Sequence, residues 1–112
     1  MTKIKICGLT RICDIEAVNA ALPDYVGFVF AASRRQINYE QARGLKALLA
    51  KEIRSVGVFV NAEQELITSL CQEKIIDLVQ LHGDEDEEYI FNLKQKISAP
   101  IIKAIRVKNK ED

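Results

Sequence analysis

Strand-like segments recur along the chain at intervals of roughly 20–30 residues, and each is followed by a helix-like segment. The first alternates charged residues with isoleucine and ends at Gly8, and later segments such as YVGFVF are almost wholly apolar. Apolar runs of this kind are typical of parallel strands covered on both faces. The predicted strands span residues 3–7, 25–30, 56–60, 77–83 and 101–107. The repeat therefore predicts an α/β protein with five parallel strands joined by four helices.

Two architectures use this repeat: an open, doubly wound sheet and a closed (β/α)8 barrel. The first turn reads Cys-Gly-Leu-Thr and not GxGxxG, so a dinucleotide-binding open sheet has no support. A flavodoxin-like sheet stays open on this evidence. In either fold the C-terminal edge of the strands is where ligands bind.

Composition narrows the class of protein. The chain has 112 residues, of which 48% are hydrophobic and 29% charged, which suits one globular domain or part of one. Sixteen basic residues balance sixteen acidic ones, so we expect no nucleic-acid or membrane partner. We find no secretion signal or spanning segment and expect a cytoplasmic location. Three cysteines without CxxC spacing predict reduced thiols and no zinc site.

Helix boundaries carry recognisable signals. Asn38 with Gln41 three residues later predicts an N-terminal capping box, and Asn61 with Gln64 repeats that pattern. Pro23 is expected to end the first helix. The acidic run Asp84–Glu88 is typical of a solvated helix N-terminus.

Six ordered segments resemble phosphoribosylanthranilate isomerase, the family that carries out an Amadori rearrangement in tryptophan biosynthesis. The resemblance covers nearly the whole chain and includes Lys5–Thr10, Gly27–Phe30, Ser33–Arg35, Val56–Asn61, Val79–Gly83 and Ile102–Ala104. It implies a (β/α)8 barrel, which needs about eight βα units and ~200 residues. Residues 1–112 are therefore expected to form the N-terminal half of such a barrel. The family's catalytic aspartate and phosphate-binding glycine loops would lie outside it.

The resemblance implies that Cys7 is the general base. The rearrangement opens a ribosyl ring, forms a Schiff base and moves a proton from the sugar C2′, which needs a positioned base. A thiolate at a strand end can serve. The alternative is a small buried core residue, which cysteine often is.

Two residues are candidates for substrate binding, Arg35 from the same resemblance and His82 from its position at the end of a strand. Arg35 is expected to bind the anthranilate carboxylate, since a guanidinium pairs well with carboxylates, whereas Arg34 is interpreted as a surface cation. His82, the single histidine, ends the fourth strand and is expected either to contact substrate or shuttle a proton, or only to hydrogen-bond to a neighbouring loop. Cys13 and Cys71 are interpreted as core residues, and Asn61 as a cap. No metal or organic cofactor is implied.

Alternation along strands extends these assignments. If Cys7 points into the barrel, Lys3 and Lys5 should do so too. By the same argument, Gln80 should face inward if His82 does. Phe59 and Gly57 should face inward if Asn61 does, and Lys103 is also expected to face inward. Such a cationic interior needs carboxylate partners, which we expect from the second half of the barrel.

Half a barrel would leave two strand edges and the inner face of the sheet open. Unpaired edges favour association, so we expect self-association or pairing with the missing half. Three functions remain: an isomerase whose N-terminal portion alone is inactive, a non-catalytic half-barrel fragment, and a flavodoxin-like binding module. Sequential strand order 1-2-3-4-5 would favour the barrel, and 2-1-3-4-5 the open sheet.

Overall fold

The computed structural model describes residues 5–32 and 34–103, without the side chains of Lys5 and Cys7. Strands and helices alternate throughout this part of the chain. The described strands are β1 (Lys5–Cys7), β2 (Tyr25–Val29), β3 (Arg54–Phe59), β4 (Leu78–Leu81) and β5 (Ile101–Lys103). The helices between them are α1 (Ile12–Ala21), α2 (Tyr39–Leu48), α3 (Gln64–Gln72) and α4 (Glu87–Lys96).

The described strands form one parallel sheet in the order β1-β2-β3-β4-β5. Each strand therefore lies beside the one that precedes it in the chain. A flavodoxin-like sheet would place β2 outside β1, so the sequential order excludes that alternative. The predicted parallel βα architecture is confirmed, and the described strand ends lie within two residues of the predicted ones. The predicted continuation of β5 to residue 107 lies outside the described residues.

One face of the sheet is covered by the helices and forms the core. Val26, Phe28, Phe59, Val79 and Leu81 are fully buried on this face. They pack in one cluster with apolar residues from each described helix, which include Ile15, Val18, Leu45, Ile67, Leu70 and Leu93. The opposite face is less covered: Val58, Leu78 and Gln80 are partly exposed, and Ile102 is 45% exposed.

The capping box predicted for α2 is confirmed. Asn38 Oδ1 accepts a hydrogen bond from the Gln41 amide at 2.8 Å, and Gln41 Oε1 accepts one from the Asn38 amide at 2.9 Å. The second predicted cap is wrong, because α3 begins after Glu63 and no side-chain cap hydrogen bond is present there. Asn61 instead adopts a left-handed backbone conformation with φ 48°.

Replacing Asn38 with alanine should lower the free energy of unfolding by about 1 kcal/mol, because the Gln41 amide in the first turn of α2 loses its side-chain acceptor. Urea denaturation should show a lower midpoint with an unchanged slope. Glu63→Ala is the matched control, since Glu63 also precedes a helix but makes no cap hydrogen bond. Equal effects of the two substitutions would contradict this account of the cap.

Candidate active site

The C-terminal ends of the strands meet at one edge of the sheet, because the strands are parallel. Cys7 is the last residue of β1, and its backbone pairs with Gly27 of β2. Asn61, His82 and Lys103 follow or end β3, β4 and β5 at the same edge. The predicted site residues thus share one edge of the fold.

The structure brings Arg35 to the end of β1. A Cβ atom added at Gly8 would overlap Cδ of Arg35 and would lie 3.0 Å from its Nη1 and 3.2 Å from its Nε. Gly8 has φ +82°, a conformation that side chains rarely adopt. Glycine is therefore needed here both for the turn and for the close passage of the Arg35 side chain, which runs directly beside the residue that follows Cys7.

Backbone contacts hold the loop that carries Arg35. Gln36 forms an isolated parallel bridge with Val29, and the Ile37 amide donates to the Val29 carbonyl at 2.9 Å. Gln36 Nε2 also donates to the Phe30 carbonyl at 3.4 Å. The loop is thus tied to the end of β2, next to β1. Arg34 and Arg35 are both exposed, but it is the side chain of Arg35 that passes close to Gly8.

His82 lies at the predicted edge, directly after β4, and is exposed. Its amide donates to the carbonyl of Phe59 at 2.8 Å, which continues the β3–β4 pairing by one residue. This bond fixes the backbone of His82 beside the end of β3. The histidine is therefore accessible to a ligand at this edge.

Glu85 is a residue of this edge that sequence analysis missed. Its side chain is fully buried and forms an ion pair with Lys103, with Oε1 2.9 Å from Nζ. The Gly83 amide donates to Oε1 at 2.9 Å, and the Asn61 amide donates to Oε2 at 2.7 Å. The interpretation of the acidic run as wholly solvated is thus wrong for Glu85. Asp86, by contrast, does cap α4, accepting from the Tyr89 amide at 2.8 Å.

These contacts also explain the role of Asn61. Its amide binds Glu85, and its Oδ1 accepts from the Asp84 amide at 3.1 Å, so it joins the loops after β3 and β4. The sequence Gly83-Asp84-Glu85 indicates a turn after β4, but it does not identify Asn61 as the partner of that turn. That pairing is tertiary and is not visible in residue spacing.

Alternation was assigned wrongly for three residues. Phe59 is fully buried in the helix-side core, and a Cβ at Gly57 would lie 2.8 Å from Ile76, so both face the helices. Lys103 is in register with buried Leu81 and reaches Glu85, so its carboxylate partner comes from this half of the fold. Gln80 lies on the opposite, less covered face, as predicted. Lys3 and the Lys5 side chain lie outside the described residues.

A second polar cluster lies at the opposite edge of the sheet. Asp77 Oδ2 accepts from Lys46 Nζ at 2.9 Å and from the Ser55 amide at 2.8 Å, and the fully buried Ser55 hydroxyl donates to the Ile75 carbonyl. Burial raises the pKa of Asp77, but the bonds from Lys46 and Ser55 outweigh it and lower that pKa overall. Contacts at this N-terminal edge stabilise the fold, away from the candidate site.

The other two cysteines differ from each other. Cys13 is exposed on α1, so its interpretation as a core residue is wrong. Cys71 is partly buried, and burial together with the nearby Asp77 raises the pKa of its thiol to about 11. It therefore stays protonated at neutral pH and is a poor nucleophile.

The part of the chain that the structure describes shows no group of three or more His, Cys, Asp or Glu side chains able to hold a metal ion. In the same ranges, none of the helices is long and apolar enough to cross a membrane.

Parallel βα units in sequential order, with polar residues gathered at the C-terminal strand edge, are the architecture of (β/α)8-barrel proteins. The chain belongs to the N-(5'-phosphoribosyl)anthranilate isomerase family, whose model matches residues 4–112.

Individual relatives agree with this assignment. The chain is 56% identical over 110 residues to the N-(5'-phosphoribosyl)anthranilate isomerase of Endomicrobium trichonymphae, covering 98% of this chain and 55% of that protein. It is 54% identical over 112 residues to that of Thermoanaerobacter sp. (strain X514), covering all of this chain and 54% of the relative. The chain thus spans about half the length of these relatives.

Solved structures show the same fold. One is phosphoribosyl anthranilate isomerase in complex with reduced 1-(o-carboxyphenylamino)-1-deoxyribulose 5-phosphate, with a TM-score of 0.84 and 38% identity over 99% of this chain and 57% of that one. The Thermus thermophilus enzyme has the same TM-score of 0.84 at 34% identity, over 96% of this chain and 54% of that one.

Proposed function

We propose that residues 1–112 form the N-terminal half of a (β/α)8 barrel that isomerises N-(5-phosphoribosyl)anthranilate to 1-(2-carboxyphenylamino)-1-deoxyribulose 5-phosphate in tryptophan biosynthesis. The observation that carries this proposal is the Arg35 side chain lying against Gly8, directly after Cys7 at the C-terminal strand edge. A guanidinium and a thiol-bearing residue are thereby adjacent at the edge where barrel enzymes bind ligands. Family membership supports the same reaction.

In this proposal Cys7 is the general base. The ring-opened substrate is a Schiff base, whose C2′ proton is acidified by the adjacent iminium. Cys7 takes that proton to give an enolamine, and the ketone forms when C1′ gains a proton and the C2′ hydroxyl loses one. A positioned base contributes typically about 10²- to 10⁴-fold to such a step. The general acid and the phosphate-binding loops would come from the second half of the barrel.

Arg35 binds the anthranilate carboxylate in this proposal, and His82 contacts the substrate from the end of β4. A carboxylate and a guanidinium form two parallel charge-assisted hydrogen bonds, which fix orientation as well as affinity. Arg35 is exposed at the strand edge, where a ligand can reach it. The chemistry needs neither a metal nor an organic cofactor.

The missing half would complete the sheet. Among the described strands, β1 and β5 each pair on one side only, and the face opposite the core exposes apolar residues such as Ile102. Open strand edges and exposed apolar surface favour association. We infer that the chain pairs with a C-terminal half, or with a second copy of itself.

Turnover of phosphoribosylanthranilate tests the proposal directly. We would measure it with the chain alone and with the chain mixed with the C-terminal half of the Endomicrobium trichonymphae relative. Negligible activity alone and measurable activity in the mixture are expected, because acid, base and phosphate site are then together. A mixture that forms a complex but shows no turnover would overturn the proposal in favour of a non-catalytic fragment.

Replacing Arg35 with alanine should raise the KM of the mixture roughly 10- to 100-fold with a smaller change in kcat. The lost charge-assisted hydrogen bonds are worth about 1.5–3 kcal/mol, and each ~1.4 kcal/mol is a tenfold change. Arg34→Ala is the matched control and should leave KM close to that of the unsubstituted chain. A larger effect at Arg34 than at Arg35 would reverse the assignment.

A further inference from the structure

Glu85 connects three strand ends at the candidate site. Its carboxylate accepts hydrogen bonds from the Asn61 amide after β3 and from the Gly83 amide after β4, at 2.7 and 2.9 Å. The third donor is Lys103 Nζ at the end of β5, at 2.9 Å. Lys103 Nζ also donates to the Gly83 carbonyl at 2.6 Å. One buried carboxylate thus holds loops that are distant in the sequence.

The charge on Glu85 is matched to its surroundings. Its side chain has no exposed area, and burying a carboxylate costs several kcal/mol unless it is paired and hydrogen-bonded. Two backbone amides and one ammonium group provide that compensation. A neutral amide side chain in this position would place an NH₂ group, or an uncharged oxygen, against these donors.

The loop has little room to shift while these bonds are made. A Cβ at Gly83 would lie 3.0 Å from Cγ1 of Val60 and 3.1 Å from the backbone nitrogen of Asn61. Gly83 therefore packs directly on the turn after β3. His82, the residue before it, is fixed on its other side by the bond from its amide to the Phe59 carbonyl.

We propose that Glu85 is a positioning residue which, together with Lys103, holds the loop that carries His82 at the substrate edge of the sheet. Glu85 acts through the backbone of Asn61 and Gly83 and does not touch the reacting atoms. The part of this proposal that says His82 contacts the substrate rests on the proposed function. The ordering of the loop stands on the contacts alone.

Loop order then depends on the ionisation of Glu85. Burial raises the pKa of Glu85, but the hydrogen bonds from Lys103, Asn61 and Gly83 outweigh it, so the pKa lies below its ordinary value. The ionised Glu85 carboxylate therefore stabilises the folded loop at pH values above the pKa that Glu85 has in the unfolded chain. This stabilisation is lost as the pH falls through the lower pKa that Glu85 has in the folded chain. Lys103 faces Glu85 from β5, and Tyr89 lies near Glu85 on α4. Burial, and after it the charge of Glu85, raises the pKa of Tyr89. Asp84 and Asp86 are its exposed neighbours in sequence.

Backbone and imidazole NMR of the 112-residue chain tests the positioning role. In the unsubstituted chain, the amide signals of Asn61 and Gly83 should move together in one transition, below the ordinary glutamate pKa. Glu85→Gln should abolish that transition and shift the imidazole signal of His82, the single histidine. Glu87→Gln, in the exposed part of the same acidic run, is the matched control and should leave all three signals in place. Separate amide transitions, or an unshifted His82 signal in Glu85→Gln, would overturn the proposal.

Activity measurements separate this proposal from the proposed function. In the mixture with the C-terminal half, Glu85→Gln should lower kcat/KM on the order of 10- to 100-fold, as small misplacements of binding groups do. Glu85→Asp should recover part of that loss.

If Glu85→Gln retains full kcat/KM, the positioning role fails although the isomerase proposal stands. An inactive unsubstituted mixture overturns the isomerase proposal, and the NMR result then decides the positioning of the loop. If Glu85→Gln does not fold, the titration of the unsubstituted chain still gives the amide readout, and Lys103→Met, which removes a bond that lowers the Glu85 pKa, should move that transition to higher pH.

Discussion

Cys7→Ser is expected to lower the kcat of the mixture with the C-terminal half by roughly 10²- to 10⁴-fold, with little change in KM. Serine has nearly the same size, so binding should be preserved. A serine hydroxyl, however, does not ionise near neutral pH, whereas a cysteine thiol can supply the thiolate that acts as the base. Steady-state kinetics of the rearrangement would measure the effect.

Cys13→Ser is the matched control for this substitution. Cys13 is an exposed thiol in the first turn of α1 and is not one of the candidate site residues, so the kcat of the Cys13→Ser variant should equal that of the unsubstituted chain. A Cys7→Ser variant with undiminished kcat would remove Cys7 from the chemistry. The reaction would then need another base at the same edge.

Phe59→Ala is expected to lower the free energy of unfolding by about 3–5 kcal/mol, the usual cost of truncating a buried phenylalanine to alanine. Phe59 is fully buried and its ring stacks on that of Phe30, with centroids 5.1 Å apart and planes 8° from parallel. The substitution removes the stacking and leaves a cavity between the sheet and the helices. Whole domains are stable by only about 5–15 kcal/mol, so this loss is a large fraction of the total.

Urea denaturation followed by circular dichroism would measure that loss. Phe91→Ala is the control, because Phe91 on α4 is 64% exposed and its removal should change the free energy of unfolding by less than about 0.5 kcal/mol. Similar small effects at both positions would contradict the assignment of Phe59 to the core. They would also reopen the question of which face of β3 meets the helices.

Local patterns predicted the elements well because their causes are local. Apolar runs with β-branched residues specify the strands, and the Asn38–Gln41 pair closes its hydrogen bonds within one helical turn. The same approach failed at Asn61, where an identical spacing has a different use. Asn61 lies in a left-handed turn bonded to a loop more than 20 residues away, a partner that spacing cannot reveal.

Alternation along the strands was the weaker argument. It holds inside a strand, but it does not carry through the turn at the end of the strand. Asn61 lies in a turn with φ 48°, beyond β3, so its side chain cannot report the direction of Phe59. Starting instead from the bulk of Phe59 and the small Gly57 would have placed both toward the helices.

The sequence by itself determined the order and type of the elements, the family, and the residues Cys7, Arg35 and His82 as candidates at the strand ends. Hydrophobic periodicity and short motifs carry that information because they act between near neighbours in the chain. Only the tertiary structure decided the sequential strand order, the passage of Arg35 beside Gly8, and the burial of Glu85 against Lys103. These are contacts between separate βα units, and their energies depend on distance and burial in the folded protein, which no local pattern records.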